Sequence, residues 1–147
     1  MLTAGFNHVA ILTNDAKRLH AFYEEVFDAT VARDGPEPGA TAAVRLSIVM
    51  LGPTSELNVF QVEGNHEADR QTPMFGRGRI DHLALQAESL EAFETIRDRL
   101  MARGATDGFV TDFGPILSVF FRDPDGLECE VCTTNPDARA GESHPPG

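Results

Sequence analysis

Residues 7–12 read NHVAIL and residues 81–86 read DHLALQ, so a similar short segment occurs twice, 74 positions apart. In the same register, Asp15 is matched by Ser89 as a capping residue, and the apolar stripe of the helix that follows is also repeated. The segments around the histidines have the alternation of a strand, whereas the stripe has the spacing of a helix. A histidine, a cap and a helical stripe that share one register indicate an internal duplication.

Each copy is predicted to contain one helix and four strands. The predicted helices cover 15–28 and 89–103. The predicted strands are 6–12, 29–34, 42–51 and 56–62 in the first copy, and 80–87, 109–113, 116–121 and 127–132 in the second. Residues 35–41, GPEPGAT, are expected to form a turn, because proline and glycine fit poorly into a strand ladder.

This order predicts an α+β fold in which two βαβββ modules form two facing four-stranded mixed sheets around a cleft, with the helices outside. We expect one domain over residues 1–135, with module one at 5–63, a linker at 64–79 and module two at 80–133. Residues 136–147 are rich in proline, glycine and polar residues, which predicts a mobile tail. The cleft is the expected binding site.

The composition excludes several classes of partner. The chain has 147 residues and a formal net charge of −11 at pH 7. Such an acidic surface repels nucleic acid and anionic lipid, so neither nucleic acid nor a membrane is expected as a partner. The N-terminus, MLTAGFNHVAIL, lacks the basic and long apolar segments of a targeting signal, which predicts a cytoplasmic protein. Cys129 and Cys132 lie on opposite faces of one predicted strand, so no disulfide between them is expected.

The parity of the strands places potential metal ligands on the open sheet faces. In NHVAIL and DHLALQ the flanking Val, Ile and Leu suit the helix-covered face, which leaves His8 and His82 on the other face. In the strand at 127–132, the same argument leaves Glu128 and Glu130 on the open face. Two imidazoles and a carboxylate suit Fe, Mn, Zn, Ni or Co, and three protein ligands leave positions for a substrate. We therefore expect one divalent metal ion at His8, His82 and Glu130.

The openings NHVAI at 7–11 and DHLAL at 81–85, with the closing DPDGLECEV at 123–131, resemble the metal-bearing strands of the vicinal oxygen chelate superfamily. This superfamily contains glyoxalases, bleomycin-resistance proteins and extradiol dioxygenases, and the resemblance covers roughly residues 5–133. The ligand positions that it implies are His8, Asn58, His82 and Glu130. Asn58 stands where members with four protein ligands carry Glu or Gln, so the resemblance fits better the members that use two histidines and one glutamate.

Other residues are candidates for substrate contact and proton transfer. The candidate substrate pocket consists of Asn58, Phe60 and Phe120. His66 stands near the position that the resemblance implies for the acid–base histidine of extradiol enzymes, with a solvated loop histidine as the alternative. Glu128 is the second candidate for proton transfer, with a solvated carboxylate at the cleft rim as the alternative. Arg77 and Arg79 in the linker are expected to be solvated.

Two functions stay open at this point. In the first, the chain is a metal-dependent dioxygenase, lyase or isomerase whose small substrate binds the ion through adjacent oxygens. In the second, it is a metal-free protein that binds or sequesters a small molecule, like the bleomycin-resistance members that it resembles. We expect a homodimer in either case, because each module leaves an edge strand that two chains can pair or exchange.

Overall fold

Each half of the chain repeats the order strand, helix and three strands. The computed structural model describes residues 2–3, 5–37, 39–40, 43–70, 72 and 75–137. Contacts within the chain divide it into two units, residues 1–71 and 72–147. In the described part, each unit carries one four-stranded mixed sheet and one α-helix. The prediction of an α+β fold with two four-stranded mixed sheets and two helices is confirmed.

Module one forms the first sheet. Its elements are β1 (His8–Leu12), α1 (Ala16–Phe27), β2 (Thr30–Pro36), β3 (Val44–Met50) and β4 (Glu56–Val62). The order in the sheet is β1-β4-β3-β2, with β1 parallel to β4 and the other neighbours antiparallel. The N-cap of α1 is Asp15, whose side chain accepts a backbone N–H at 3.0 Å. The helix contacts β2, β3 and β4. Leu57 and Val59 of β4 are buried, whereas Asn58 and Phe60, which alternate with them, are half-buried.

Module two forms the second sheet in the same way. Its elements are β5 (Leu83–Gln86), α2 (Leu90–Ala102), β6 (Val110–Asp112), β7 (Ile116–Arg122) and β8 (Glu128–Thr134). The order is β5-β8-β7-β6, with β5 parallel to β8 and the other neighbours antiparallel. Ser89 caps α2 by accepting the backbone N–H of Ala92 at 3.1 Å. The helix contacts β8, where Cys129 and Val131 are fully buried.

Strand β2 is longer than the sequence predicts. The expected turn at 35–41 begins later, because Gly35 and Pro36 still pair with Leu46 and Arg45 of β3. Proline has no backbone N–H to give to a ladder, but β2 is the last strand of the sheet and needs partners on one side only. The expectation that proline ends the strand is therefore wrong at this sheet edge.

The cysteines are both free, as the parity argument predicts. Cys129 is paired with Phe121 and Cys132 with Ser118 along the antiparallel β7–β8 ladder. Burial raises the pKa of the Cys129 thiol to about 12, so this thiol is not a nucleophile at neutral pH.

The linker contains one short 3₁₀ helix, Glu67–Asp69. The predicted tail at 136–147 lies outside the described residues from position 138 onward. Within the described residues, no helix is long and apolar enough to cross a membrane.

Candidate metal centre

His82 and Glu130 lie side by side in module two. His82 directly precedes β5, and Ala84 of that strand is paired with Glu130 of the parallel strand β8. The Nε2 atom of His82 lies 3.8 Å from Oε2 of Glu130, whose side chain is only 11% exposed. Two ligand atoms that are each about 2.1 Å from one ion lie between about 3 and 4.2 Å apart. The spacing of this pair therefore fits two ligands of one metal ion.

The second ring nitrogen of His82 is held by the preceding residue. Its Nδ1 atom lies 2.8 Å from a carboxylate oxygen of Asp81, and the backbone N–H of Phe75 donates to the other oxygen. The hydrogen bond with His82 holds the pKa of the Asp81 carboxyl below its usual value. Because an ionised carboxylate only accepts hydrogen bonds, Nδ1 is the donor in the contact with Asp81, and Nε2 is the ring nitrogen that faces Glu130.

Phe120 and Cys132 complete the surroundings of Glu130. Phe120 of β7 is the antiparallel partner of Glu130, and its ring centre lies 6.0 Å from that of His82 in an edge-to-face contact. The thiol of Cys132 donates a hydrogen bond to Glu130 at 3.4 Å. Burial raises the pKa of Cys132 to about 11, so this thiol keeps its proton at neutral pH. One face of the sheet thus presents an imidazole, a carboxylate, a protonated thiol and an aromatic ring.

The carboxylate of Glu128 forms ion pairs with two arginines. Arg122 donates to one carboxylate oxygen at 2.7 Å, and Arg77 donates to the other. These hydrogen bonds, first from Arg122 and then from Arg77, hold the pKa of Glu128 below its usual value. A carboxylate that is stabilised in its ionised form is a weak proton acceptor. The geometry therefore favours an ion-pair role for Glu128 over the proton transfer suggested by its position in the strand.

Module one repeats part of this arrangement around His8. The Nδ1 atom of His8 lies 2.8 Å from the side-chain oxygen of Asn7, the residue before it. His8, at the start of β1, is exposed. Along this strand, exposed residues alternate with the half-buried Val9 and Ile11. This contact repeats the one between Asp81 and His82, at equivalent positions of the duplication.

Asn58 is the structural counterpart of Glu130. The β1–β4 register pairs Ala10 with Asn58, and the β5–β8 register pairs Ala84 with Glu130. The Oδ1 atom of Asn58 is buried and has no hydrogen-bond partner among the described residues. Phe60, two residues further along β4, shares its face of the sheet. Module one thus carries a short neutral amide where module two carries a carboxylate.

His66 lies at the opposite end of module one from His8. His8 pairs with Glu56 at the start of β4, whereas His66 follows the end of that strand. The segment of β4 from Glu56 to Gln61 already has a length of roughly 16 Å, and His66 lies beyond it. The imidazole is 81% exposed and lies 3.3 Å from a carboxylate oxygen of Asp69.

A cavity of about 790 Å³ opens at this same end of module one. Its lining consists of Asn14, Gly35, Pro36, Ala43, Val44, Arg45, Gln61, Val62, Glu63, Gly64, Asn65 and His66. His66 is the one sequence-predicted site residue in this lining, and within module one it follows the end of β4 that lies away from His8. The size suits a small organic molecule.

The structure brings together some of the predicted site residues. His82, Glu130 and Phe120 share a patch of module two, and Asn58 and Phe60 share a face of module one. No group of three or more His, Cys, Asp or Glu side chains that could hold a metal ion is found among the described residues. Module two therefore supplies a pair of the predicted ligands.

Sequence reasoning missed Asp81 and Arg77. The expectation that Arg77 is solvated is wrong, because its side chain is 13% exposed and donates to Glu128 and, at 2.9 Å, to the backbone carbonyl of Asp81. No local pattern could reveal this contact, since Glu128 lies 51 residues away. Asp81 did have a signal, because Asn or Asp precedes the histidine in both copies of the repeat.

Comparisons with known proteins agree with this architecture. The family model of the Glyoxalase/Bleomycin resistance protein/Dioxygenase superfamily matches residues 5–131. No curated protein matches the chain. The glyoxylase/bleomycin resistance protein/dioxygenase domain from Frankia sp. EAN1pec has a TM-score of 0.73 at 20% identity, over 90% of this chain and 99% of that chain.

Two further solved structures share the fold. A glyoxalase family protein from Enterococcus faecalis has a TM-score of 0.68 at 27% identity, over 90% of this chain and 99% of that chain. The genomically encoded fosfomycin resistance protein FosX from Listeria monocytogenes, complexed with Mn(II) and a sulfate ion, has a TM-score of 0.64 at 17% identity, over 94% of this chain and 98% of that chain. With a family match over most of its length, the chain belongs to the glyoxalase/bleomycin resistance protein/dioxygenase superfamily.

Proposed function

We propose that this chain is a divalent-metal-dependent enzyme that acts, as a dioxygenase, lyase or isomerase, on a small substrate bound through adjacent oxygens. The observation that carries the proposal is the pair formed by His82 and Glu130, with Nε2 and Oε2 3.8 Å apart. The contact of Asp81 with Nδ1 supports it, because metal-bound histidines usually give their other ring N–H to a carboxylate or carbonyl.

The proposed ligands are His8, His82 and Glu130. Their chemistry suits Fe, Mn, Zn, Ni or Co, and Mn(II) is the first ion to test because the FosX structure contains it. An ion held by three protein ligands would supply Lewis-acid polarisation of a bound oxygen and open positions for substrate. Module two would present the ligand pair, and His8 would present a ring whose Nδ1 is already engaged by Asn7.

Asn58, Phe60 and Phe120 are the proposed substrate contacts. The buried Oδ1 atom of Asn58 has no partner among the described residues, so a substrate hydroxyl or a water could donate to it. Phe120 lies edge to face with His82 and would exclude water from that side of the ring. Neither His66 nor Glu128 carries proton transfer in this proposal, because His66 follows the far end of β4 and Glu128 is ion-paired.

Metal content by mass spectrometry, on protein purified without chelators and then loaded with Mn(II), Fe(II) or Zn(II), tests the proposal. We expect wild type to hold about one ion per chain, and His8→Ala, His82→Ala and Glu130→Gln to lower occupancy about ten-fold or more. His66→Ala and Glu24→Gln are matched controls at exposed positions and should leave occupancy unchanged. Occupancy near zero in wild type and all variants would refute the metal site.

A metal-free binding protein is the second candidate. The cavity of about 790 Å³ in module one favours it, because none of the three proposed ligands lines that cavity. In this case binding of a small molecule would be lost in cavity variants such as Gln61→Ala, while Glu130→Gln would have no effect. Under either function we expect a homodimer in the cytoplasm, with a small molecule and neither nucleic acid nor a membrane as its partner.

A further inference from the structure

We propose that Asp81 is a positioning residue that fixes the tautomer of His82, and that Asn7 does the same for His8. Each residue would accept the Nδ1–H of the histidine that follows it, so that Nε2 is left unprotonated for a ligand. The inference rests on the proposed function for its purpose, but the hydrogen bonds on which it depends join residues of this chain and can be tested in the metal-free protein.

The geometry of the two contacts is the first support. Nδ1 of His82 lies 2.8 Å from Oδ2 of Asp81, and Nδ1 of His8 lies 2.8 Å from Oδ1 of Asn7. A carboxylate and an amide oxygen are both acceptors, so in each neutral ring the proton belongs on Nδ1. The lone pair of His82 is then on Nε2, which is the atom that faces Glu130 at 3.8 Å.

The duplication is the second support. Asn7 and Asp81 occupy equivalent positions, 74 residues apart, and differ in charge. The contact is kept although one partner is an anion and the other is neutral. What the two positions share is an oxygen acceptor of the same length directly before the histidine. We therefore attribute the effect to hydrogen-bond acceptance rather than to charge.

Asp81 is itself held in place by the linker. The backbone N–H of Phe75 donates to its other carboxylate oxygen, and Arg77 donates to its backbone carbonyl at 2.9 Å. Arg77 also donates to Glu128 at the start of β8. This chain of contacts ties the segment before β5 to the strand that carries Glu130. It gives Glu128 and Arg77 a role in supporting Asp81, which a solvent-exposed linker would not provide.

The decisive measurement is the ¹⁵N chemical shifts of the ring nitrogens in the metal-free protein, at alkaline pH where the imidazoles are neutral. We expect His82 and His8 to be in the Nδ1–H form. Asp81→Ala should shift His82 toward a mixture with the Nε2–H form, which dominates in free imidazole side chains, and Asp81→Asn should keep the Nδ1–H form. Asn7→Ala should change His8 in the same way and leave His82 unchanged.

Metal affinity by calorimetry is the second readout. Asp81→Ala should weaken binding about 10- to 100-fold, the range found for residues that support a metal ligand, and Asp81→Asn should restore most of the affinity. Asp98→Ala, at an exposed position of α2, is the matched control and should bind as wild type does. Loss of affinity in Asp81→Ala without recovery in Asp81→Asn would overturn the claim that acceptance, rather than charge, is what matters.

The two proposals fail in different ways. If wild type binds no metal, the proposed function fails, and the ring shifts alone still decide the inference. If wild type binds metal but His82 keeps its Nδ1–H form in Asp81→Ala, the positioning role is overturned and the metal site stands. Should Asp81→Ala not fold, Asp81→Leu, which also lacks a hydrogen-bond acceptor, replaces it for His82, and Asn7→Ala, at an exposed position, decides the same question for His8.

Discussion

At the scale of single residues, the two modules differ most at one pair of equivalent positions. Glu130 lies between the ring of His82 and the thiol of Cys132, whereas its counterpart Asn58 has a buried oxygen without a described partner. The carboxylate can bind a cation, while the amide is neutral and one bond too short to reach as far. Of these two equivalent positions, the one in module two is therefore the one that suits a cation.

The substitution Asn58→Glu tests this interpretation. It would place a second carboxylate at the position equivalent to Glu130, and carboxylate oxygen is a ligand type that suits Mn(II). We expect tighter Mn(II) binding by calorimetry, together with lower stability of the metal-free protein, because a carboxylate would then be buried without a cation. Asn58→Ala is the control, and its affinity should fall far less than that of Glu130→Gln. Equal losses of affinity in Asn58→Ala and Glu130→Gln would contradict the interpretation that Asn58 is the weaker of the two positions.

At the scale of elements, the turn between β7 and β8 carries a buried acid. Asp123 is 6% exposed, and its Oδ1 accepts backbone N–H groups of Asp125 at 2.9 Å and Leu127 at 2.8 Å. Burial raises the pKa of Asp123 from 3.8 to about 6 in spite of these hydrogen bonds. The folded state therefore binds this proton more tightly than the unfolded chain does.

The stability that Asp123 contributes is present below pH 3.8 and is lost as the pH rises through about 6. Asp123→Asn keeps the Oδ1 acceptor and removes the charge. We expect the variant to gain stability over wild type between these pH values, by up to about 3 kcal/mol at neutral pH. Urea unfolding at several pH values measures this. Asp107→Asn, an exposed turn aspartate that accepts a backbone N–H at 2.9 Å, should follow wild type. A difference in the free energy of unfolding between Asp123→Asn and wild type that does not change with pH would refute the prediction.

The loop between α2 and β6 depends on a glycine. Gly108 has φ +78°, and a Cβ added there would lie 2.4 Å from the sulfur of Met101. We expect Gly108→Ala to lower the free energy of unfolding by about 1–2 kcal/mol through the left-handed backbone, and further through the contact with Met101. Removing the contact with Met101→Ala should recover only part of this loss, because the backbone strain stays. Gly52→Ala, with ordinary φ and open space around it, is the control. Full recovery of stability in the double variant Gly108→Ala/Met101→Ala would mean that the loss comes from the contact with Met101 and not from the backbone.

At the scale of the whole molecule, the edge strands of the two sheets are the surfaces on which another chain could pair. The strand orders put β1 and β2 at the edges of one sheet and β5 and β6 at the edges of the other. An edge strand presents backbone N–H and C=O groups that another strand can pair with. Leu12, on the edge strand β1, is also 39% exposed.

These edges predict a homodimer. Sedimentation at micromolar concentration should give about twice the chain mass of 16.0 kDa. Adding metal should leave this mass unchanged if the edges alone carry the interface. A species of 16.0 kDa at all concentrations would contradict the prediction.

Much of this protein could be predicted because its determinants are local or periodic. Helix caps at Asp15 and Ser89 and the alternation along β4 and β8 each depend on residues a few positions apart. The repeat of NHVAIL and DHLALQ then shows that the pattern occurs twice. These features are enough to predict the two sheets, the two helices and the face of the strand that carries Glu130.

Tertiary structure alone decided which distant groups meet. Whether Glu128 is free or ion-paired depends on Arg77, 51 residues away, and whether Pro36 ends β2 depends on which strand lies at the sheet edge. The distance of His66 from His8 likewise follows from the parallel register of β1 and β4. The sequence by itself determined the elements and their faces, because period and capping act over a few residues. Pairing, register and ion-pair partners required the folded chain, because they join residues that no local pattern connects.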